Sequence, residues 1–548
     1  MQTTSRIEAV GSRDTAHITG HEWRWVIIVA CVLILLAFFP LIWVALRGTP
    51  GWQFMGALHN YLDGATYLAK MRIGYDGGLA VHFLHTPEIH DGAFIMLVYP
   101  LLGSLARLLD LPLLVMFHAA RCATSLVMYA AIYQLGATIW MNVGTRRIFF
   151  AIASVGSGLG WVLGPLLGAS DLPDLVIPEA FPVYSTFVNV HFPLSIACLA
   201  LLVSLLIAAL RPNVGANIDP MWWGASLLSF ALSLLYPQSL VPLGAALGLY
   251  IAYDWIKRRT LERRALLWSL AVVLPALPVA LYYLTIVQVN PALTIWNQQN
   301  QTLSPSPLAW LIGLGLPLVI ALPALVRAVQ RMEQDGDRLM LLWLVAIVVT
   351  MYLPTGIQRR FSVGIMLPVA YFATRALQDV WLTRIRRRAR PLLVVGVVLI
   401  ALTPLLMLFL PALPAMIGSP EYTPAALFLD ADYVRAYQWI DNRTDQDDVV
   451  LAAPDGSIWL PGWAGARVVY AHQYETLNAA DKRAEVSAWY TAVDSANCAA
   501  LLDRYNVRYI VQGPEEAQFA AELRAAPTVC FEMLQQVVQF GDVTVYTP

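Results

Sequence analysis

The sequence predicts a polytopic α-helical membrane protein with a C-terminal α/β domain outside the cytoplasm. Of its 548 residues, 58% are hydrophobic and only 13% charged, with a mean hydropathy of +0.61, far above a soluble protein. About eleven apolar segments reach spanning length, and basic clusters recur in every second connection between them. After residue 418 the composition changes to mixed charge with short alternating apolar strands. Lys and Arg total 35 against 36 Asp and Glu, a net charge of −1, so nothing attracts the chain to nucleic acid.

Residues 1–24 form an N-terminal tail carrying Arg6, Arg13 and Arg24, which places it in the cytoplasm. The first apolar run, Trp25 to Leu46, lacks a small-residue cleavage site and reads as a retained helix, opening a transmembrane region over 25–418. A large first external loop, 47–111, follows. Further spans are expected near 112–137, 147–168, 192–210, 221–236, 239–256, 266–288, 308–328, 339–353, 361–382 and 391–414.

The basic residues test this arrangement. Arg146 and Arg147, Arg211, the group Lys257, Arg258, Arg259, Arg263 and Arg264, then Arg327, Arg331 and Arg338, and finally "TRIRRRARP" all fall on the side of the N-terminus. The opposite connections, 47–111, 169–191, 289–307 and the segment after 418, are nearly free of such clusters apart from Lys70, Arg72, Arg107 and the scattered charges of the last segment. With an odd number of spans, the positive-inside rule puts the first loop and residues 419–548 together outside the plasma (inner) membrane.

In that last segment "DVVLAA", "ARVVYA", "VRYIVQG" and "DVTVYTP" read as strands, and 430–443, 479–494 and 515–525 as helices, a small α/β domain. Cys31, Cys122 and Cys198 lie in apolar spans as packing residues. Cys498 and Cys530 lie outside, either as a disulfide or as two free thiols.

In the first loop, "HNYLDGATYLAKMR" from His59 to Arg72 suits an amphipathic helix lying at the membrane surface, with Asp63 near its N-terminus as a cap or as a functional carboxylate. Downstream, Asp76, His82, His85, Glu88, His90 and Asp91 crowd a short interval. Such groups take protons or bind a divalent cation, and Asp63, His85 and Glu88 are the candidate ligands.

The order of a long apolar first helix, a loop bearing D-x3-Y-x-A-x-M-x2-G-x-D-G (Asp63, Tyr67, Ala69, Met71, Gly74, Asp76 and Gly77) and many further spans resembles the GT-C superfamily of membrane glycosyltransferases. It is similar in particular to the branch of lipid A aminoarabinose transferases and protein mannosyltransferases. The resemblance implies a GT-C-like fold and transfer of a hexosyl or pentosyl unit from a polyprenyl-phosphate donor, held among membrane lipids, to a glycan, lipid or protein acceptor. It assigns Asp63 to the catalytic centre, as base or in a metal site, with Glu88 and Asp91 as candidates for a second acid. Gly64 stands where many members carry that acid directly after the Asp, and no "WWD" block of oligosaccharyltransferases is present.

Such a reaction needs a base for the acceptor hydroxyl and cations for the departing phosphate. "YLPTGIQRRFSVG" supplies Arg359 and Arg360 on the external side, against the charge trend, where guanidinium forks match phosphate oxygens or snorkel to headgroups. His59, Asp76, Asn189, His191, Tyr236 and Gln238 are candidates for a substrate groove or for simple capping of turns. Two other classes of function remain open on the sequence: a transporter or flippase of lipid-linked saccharide, and a non-catalytic membrane scaffold. Against the transporter, most ionisable residues sit in connections and few at mid-span.

Overall fold

The computed structural model describes residues 18–211, 221–333, 336–384, 391–423, 427–493, 496–524 and 528–548. Six residues of the basic run after Arg384, the loop after Arg211, and Arg6 and Arg13 lie outside the described residues.

Each expected span overlaps at least one helix. Seven segments among the described residues, Gly20–Ala45, Leu113–Ile139, Val143–Leu167, His191–Leu210, Pro237–Lys257, Arg263–Val289 and Pro307–Arg331, are long and apolar enough to cross a membrane. Trp222–Leu235, Asp337–Thr350, Met366–Ala376 and Pro391–Phe409 occupy the remaining expected positions and are shorter or interrupted. The chain is a multi-pass membrane protein. Helix α1, Gly20–Ala45, begins with a capping box in which Thr19 and Glu22 satisfy each other's backbone N–H.

One end of the bundle is tied by ions. Glu22 accepts from Arg146 Nη1 and from Tyr133 Oη, both at 2.7 Å. Asp254 accepts from Arg338 Nη1 at 2.7 Å, and Asp337 accepts from Tyr371 Oη and Arg375 Nε at 2.5 and 3.2 Å. These residues sit at helix ends on the side the sequence assigns to the cytoplasm. Charge buried there is paired because an isolated ion would cost several kcal/mol, ~3–5 when one partner is removed.

At the other end the connections converge. Strand β1, Trp52–Phe54, pairs antiparallel with β2, Phe428–Asp430, so the first loop and the C-terminal segment are built as one body. Helix α2, Tyr61–Tyr75, runs beneath them. It differs from the expected amphipathic surface helix, since every residue from Gly64 to Met71 is buried. The reason lies in its composition: Ala65, Leu68, Ala69, Met71 and Ile73 give it apolar surface on all sides, and Tyr67, Leu68 and Met71 share a core with Tyr433, Tyr437, Trp459 and Leu460. Its contact with helix Val98–Leu108 is backbone to backbone. A Cβ at Gly74 would stand 1.9 Å from the Pro100 carbonyl oxygen, and one at Gly103 would stand 1.8 Å from that of Met71.

The C-terminal sheet has strand order β4-β3-β5-β7-β6, with β3 Val449–Leu451, β4 Arg467–Val468, β5 Val507–Gln512, β6 Gln535–Phe540 and β7 Val543–Thr547. The first three pair in parallel, and β6–β7 is an antiparallel hairpin joined to β5. Four strands and the helices Ala431–Asp441, Ala479–Tyr490 and Pro514–Glu522 match the sequence reading. Strand β6 and helix Ala496–Arg504 were not expected. Cys498 and Cys530 form a disulfide. Cys198 is buried, whereas Cys31 and Cys122 face outward.

Candidate functional site

Where the connections meet, a cavity of about 660 Å³ is enclosed between α2, the segments 175–192, 296–302 and 359–360, and the turn 472–475. Asp63 sits in the first turn of α2 with its side chain 39% exposed, and it lines this cavity. It is not a cap. The N-cap is Asn60, in the left-handed region (φ 50°), and its Nδ2 donates to Asp63 Oδ2 at 2.6 Å. Burial opposes ionisation of Asp63, but His472, Asn60 and the charge of Lys70 outweigh it and hold the carboxyl below its ordinary value. It is therefore a carboxylate at neutral pH, fit to accept a proton. Gly64 has no room for a second acid, because its Cβ would lie 2.7 Å from that of Ala57.

Opposite Asp63, the short 3₁₀ turn Gln358–Ser362 presents Arg359 and Arg360 to the same cavity. Both are sparsely partnered. Arg359 Nε is buried with no hydrogen-bond partner, its nearest carboxylate being Glu179 at 3.9 Å, and Arg360 Nη2 reaches Asn300 Oδ1 at 3.4 Å. Two guanidinium groups held over a cavity with donors to spare have the chemistry that anion binding requires.

His59, His191 and Tyr236 line the cavity as expected. The His59 ring packs on Phe187 at a tilt of 58°, centroids 4.8 Å apart, and burial depresses its imidazole to about 3. His191 Nδ1 meets Tyr99 Oη at 2.7 Å. With Tyr236 and Arg360 it also walls an adjoining apolar cavity of about 520 Å³, which runs along Tyr283, Leu284 and Val287 and contains Gln238.

Other expected residues lie elsewhere. Glu88 is locked by Lys482 and Thr86. Burial would raise its carboxyl, but these two partners hold it below the ordinary value. Asp91 is exposed and contributes only its carbonyl, to Asn290 Nδ2 at 2.9 Å. Asp76 accepts from Arg72 Nε at 2.9 Å and Gln446 Nε2 at 3.0 Å. Asn189 caps the turn before Phe192 at 3.0 Å. His90 bonds the Phe83 N–H and the Glu88 carbonyl. His82 is pressed down to about 4, first by burial and then by the nearby Arg467 charge.

The expected metal trio is not assembled. His85 is buried against the Ile458 carbonyl at 3.0 Å, Glu88 belongs to Lys482, and Asp63 faces the cavity without either. No group of three or more His, Cys, Asp or Glu side chains suited to a metal ion occurs among the described residues. The donor set does not fit a protein-held divalent cation.

Sequence reasoning missed the site's other members. Glu179, from the loop 169–191, is 3% exposed at the cavity wall, and burial raises its carboxyl despite Arg359 and Arg360. The turn His472–Glu475 closes the cavity from the C-terminal segment. Glu475 Oε1 pairs with Lys70 Nζ at 2.7 Å, the side chains 10% and 3% exposed. That turn follows a stretch rich in Trp, Tyr and Gly, but only the fold brings it to Asp63.

No protein-family model matches the sequence, and no curated protein sequence does. The fold is similar to that of ArnT from Cupriavidus metallidurans, solved bound to undecaprenyl phosphate, at 12% identity over 96% of this chain and 98% of that one, with a TM-score of 0.53. It is also similar to the arabinofuranosyltransferase AftD from Mycobacteria, at 14% identity over 97% of this chain and 40% of that one, with a TM-score of 0.52. Both are GT-C glycosyltransferases. At such identities the likeness speaks for the fold alone: the chain has a GT-C-like fold.

Proposed function

We propose that the chain is a membrane glycosyltransferase that moves a sugar from a polyprenyl-phosphate carrier to an acceptor at the extracytoplasmic face. The observation that carries the reading is the meeting of Asp63 with Arg359 and Arg360 in one cavity, beside an apolar cavity that shares His191, Tyr236 and Arg360. A carrier with a phosphate at the membrane surface and an isoprenoid in lipid asks for that combination. ArnT, which shares the fold, was solved with undecaprenyl phosphate, in keeping with this donor class.

In this mechanism Asp63 takes the proton of the acceptor hydroxyl as its oxygen attacks the anomeric carbon. The bond from that carbon to the phosphate oxygen breaks, and Arg359 and Arg360 take up the charge on the departing polyprenyl phosphate. One base on the acceptor side gives direct displacement with inversion. Glu88 and Asp91, outside the cavity, have no part in it. The basic end of the bundle supports a cytoplasmic placement for that end, and so an external one for the cavity.

The test is turnover in lipid nanodiscs with a synthetic polyprenyl-phosphate sugar. Free polyprenyl phosphate should appear with the parent and not with Asp63→Asn. Release unaffected by Asp63→Asn overturns the mechanism, and movement of intact carrier between leaflets without release favours a flippase.

A further inference from the structure

We propose that His472 is the positioning residue of Asp63: a neutral imidazole that directs its Nε2–H at the carboxylate and cannot relay the proton onward. This rests on the glycosyltransferase reading only in naming Asp63 as the base.

The tautomer follows from the turn His472–Thr476. Nδ1 of His472 accepts the backbone N–H groups of Tyr474 and Glu475, each at 3.1 Å, so this nitrogen carries no proton and Nε2 must. Nε2 stands 3.6 Å from Asp63 Oδ1, a little beyond hydrogen-bond length, a gap that catalytic pairs commonly close once substrate is bound. The ring is fixed on all sides. Its side chain is 3% exposed. The turn is held by Thr476 Oγ1, which accepts from His472 N at 3.1 Å and donates to the His85 carbonyl at 2.6 Å. Gln299 Nε2 binds the carbonyls of Tyr474 and Thr476 from the neighbouring helix at 2.8 and 2.6 Å.

With Nε2 already protonated and Nδ1 occupied by two donors, the imidazole has no free lone pair for the proton that Asp63 collects. That proton leaves through the cavity. The other charged and titratable groups around the pair are Lys70, Tyr67 and Tyr99 beside Asp63, and Glu179, His191 and Arg360 across the cavity. Around the imidazole stand Tyr474 and His85, their rings 5.8 and 6.3 Å away, and Glu475 in its pair with Lys70.

Two measurements decide it. In ¹⁵N-histidine-labelled protein in nanodiscs, the His472 signals are those lost in His472→Gln. They should show a bare Nδ1 and a protonated Nε2, and Asp63→Asn should move Nε2 while leaving Nδ1 in place. A protonated Nδ1, or an Nε2 indifferent to Asp63→Asn, overturns the pairing whether or not the protein transfers sugar. In the pH profile of turnover, His472→Phe should move the acid limb up by about one pH unit, the worth of a lost hydrogen bond, and His472→Gln, which keeps a donor, should move it less. A uniform loss at every pH with the limb unmoved would make His472 merely structural. A parent enzyme without turnover would reject the glycosyltransferase reading and leave the nitrogen signals to settle the pair.

Discussion

Replacing Arg359 with glutamine separates binding of a phosphate from neutralisation of a protein carboxylate. Its Nε is buried without a hydrogen-bond partner and its nearest carboxylate, Glu179, is 3.9 Å away, so the residue gives up little that the protein itself uses. A charge-assisted hydrogen bond to phosphate is worth about 1.5–3 kcal/mol, or roughly a 10- to 100-fold rise in the donor KM at about 1.4 kcal/mol per factor of ten. Lysine should recover only part, since it keeps the charge and loses the planar fork. Glu179 provides the control. Were Arg359 present only to balance that buried acid, Glu179→Gln would make Arg359→Gln harmless. On the phosphate account the double variant keeps the full donor defect. The assay is donor-dependent release of polyprenyl phosphate for Arg359→Gln, Arg359→Lys, Glu179→Gln and the double variant, with thermal stability alongside. Unchanged donor KM in Arg359→Gln and Arg360→Gln alike would exclude a phosphate-binding role for the pair.

Asp63→Asn should cut turnover by roughly 10² or more while thermal stability stays near that of the parent. Because His472, Asn60 and Lys70 together outweigh burial and hold the Asp63 carboxyl low, the base stays ionised below the pH at which an ordinary carboxylate takes its proton, and activity should fall only as pH drops through that lowered value. An acid limb near pH 6 would contradict this. Gly103→Ala pushes a methyl toward the Met71 carbonyl, so it should cost about 1–3 kcal/mol in stability and lower turnover by displacing α2, as thermal unfolding and donor kinetics will show. Glu516 accepts from Ala453 N at 2.9 Å and from Tyr433 Oη at 2.5 Å, and burial pushes it up to about 7. Its folded value exceeds the unfolded one, so this stability is present in acid and lost as pH rises from about 4.5 through about 7. Unfolding midpoints should decline over that window, and Glu516→Gln should flatten the decline. Finally, Val493, 88% exposed, when replaced by cysteine in a background without Cys31, Cys122 and Cys198, should react with an impermeant maleimide on intact cells. Reaction only after lysis would reverse the topology.

The helices were legible because a span of apolar residues has one solution in lipid, in which the backbone satisfies itself. Arg359 and Arg360 stood out in the sequence as basic residues against the charge trend, and Asp63 through the motif that resembles the GT-C first loop. The His and acid cluster misled because residue density says nothing about direction: Glu88 turns to Lys482 and His90 to its own loop. Helix α2 misled for a related reason, since Lys70 and Arg72 look solvated until their partners Glu475 and Asp441 arrive from about four hundred residues away. Glu179 and His472 had no local signal. They matter through contacts between distant segments, which spacing along the chain cannot encode.

On the proposed mechanism a lipid-linked sugar sits with its phosphate on Arg359 and Arg360 and its anomeric carbon toward Asp63. A cryo-EM structure in nanodiscs with a non-hydrolysable polyprenyl-phosphonate sugar tests it directly. Density for the phosphonate is expected within hydrogen-bond reach of both guanidinium groups, the sugar between them and Asp63, and the isoprenoid leading off past Tyr236 and Tyr283. A phosphonate bound elsewhere, or a sugar turned away from Asp63, would contradict it.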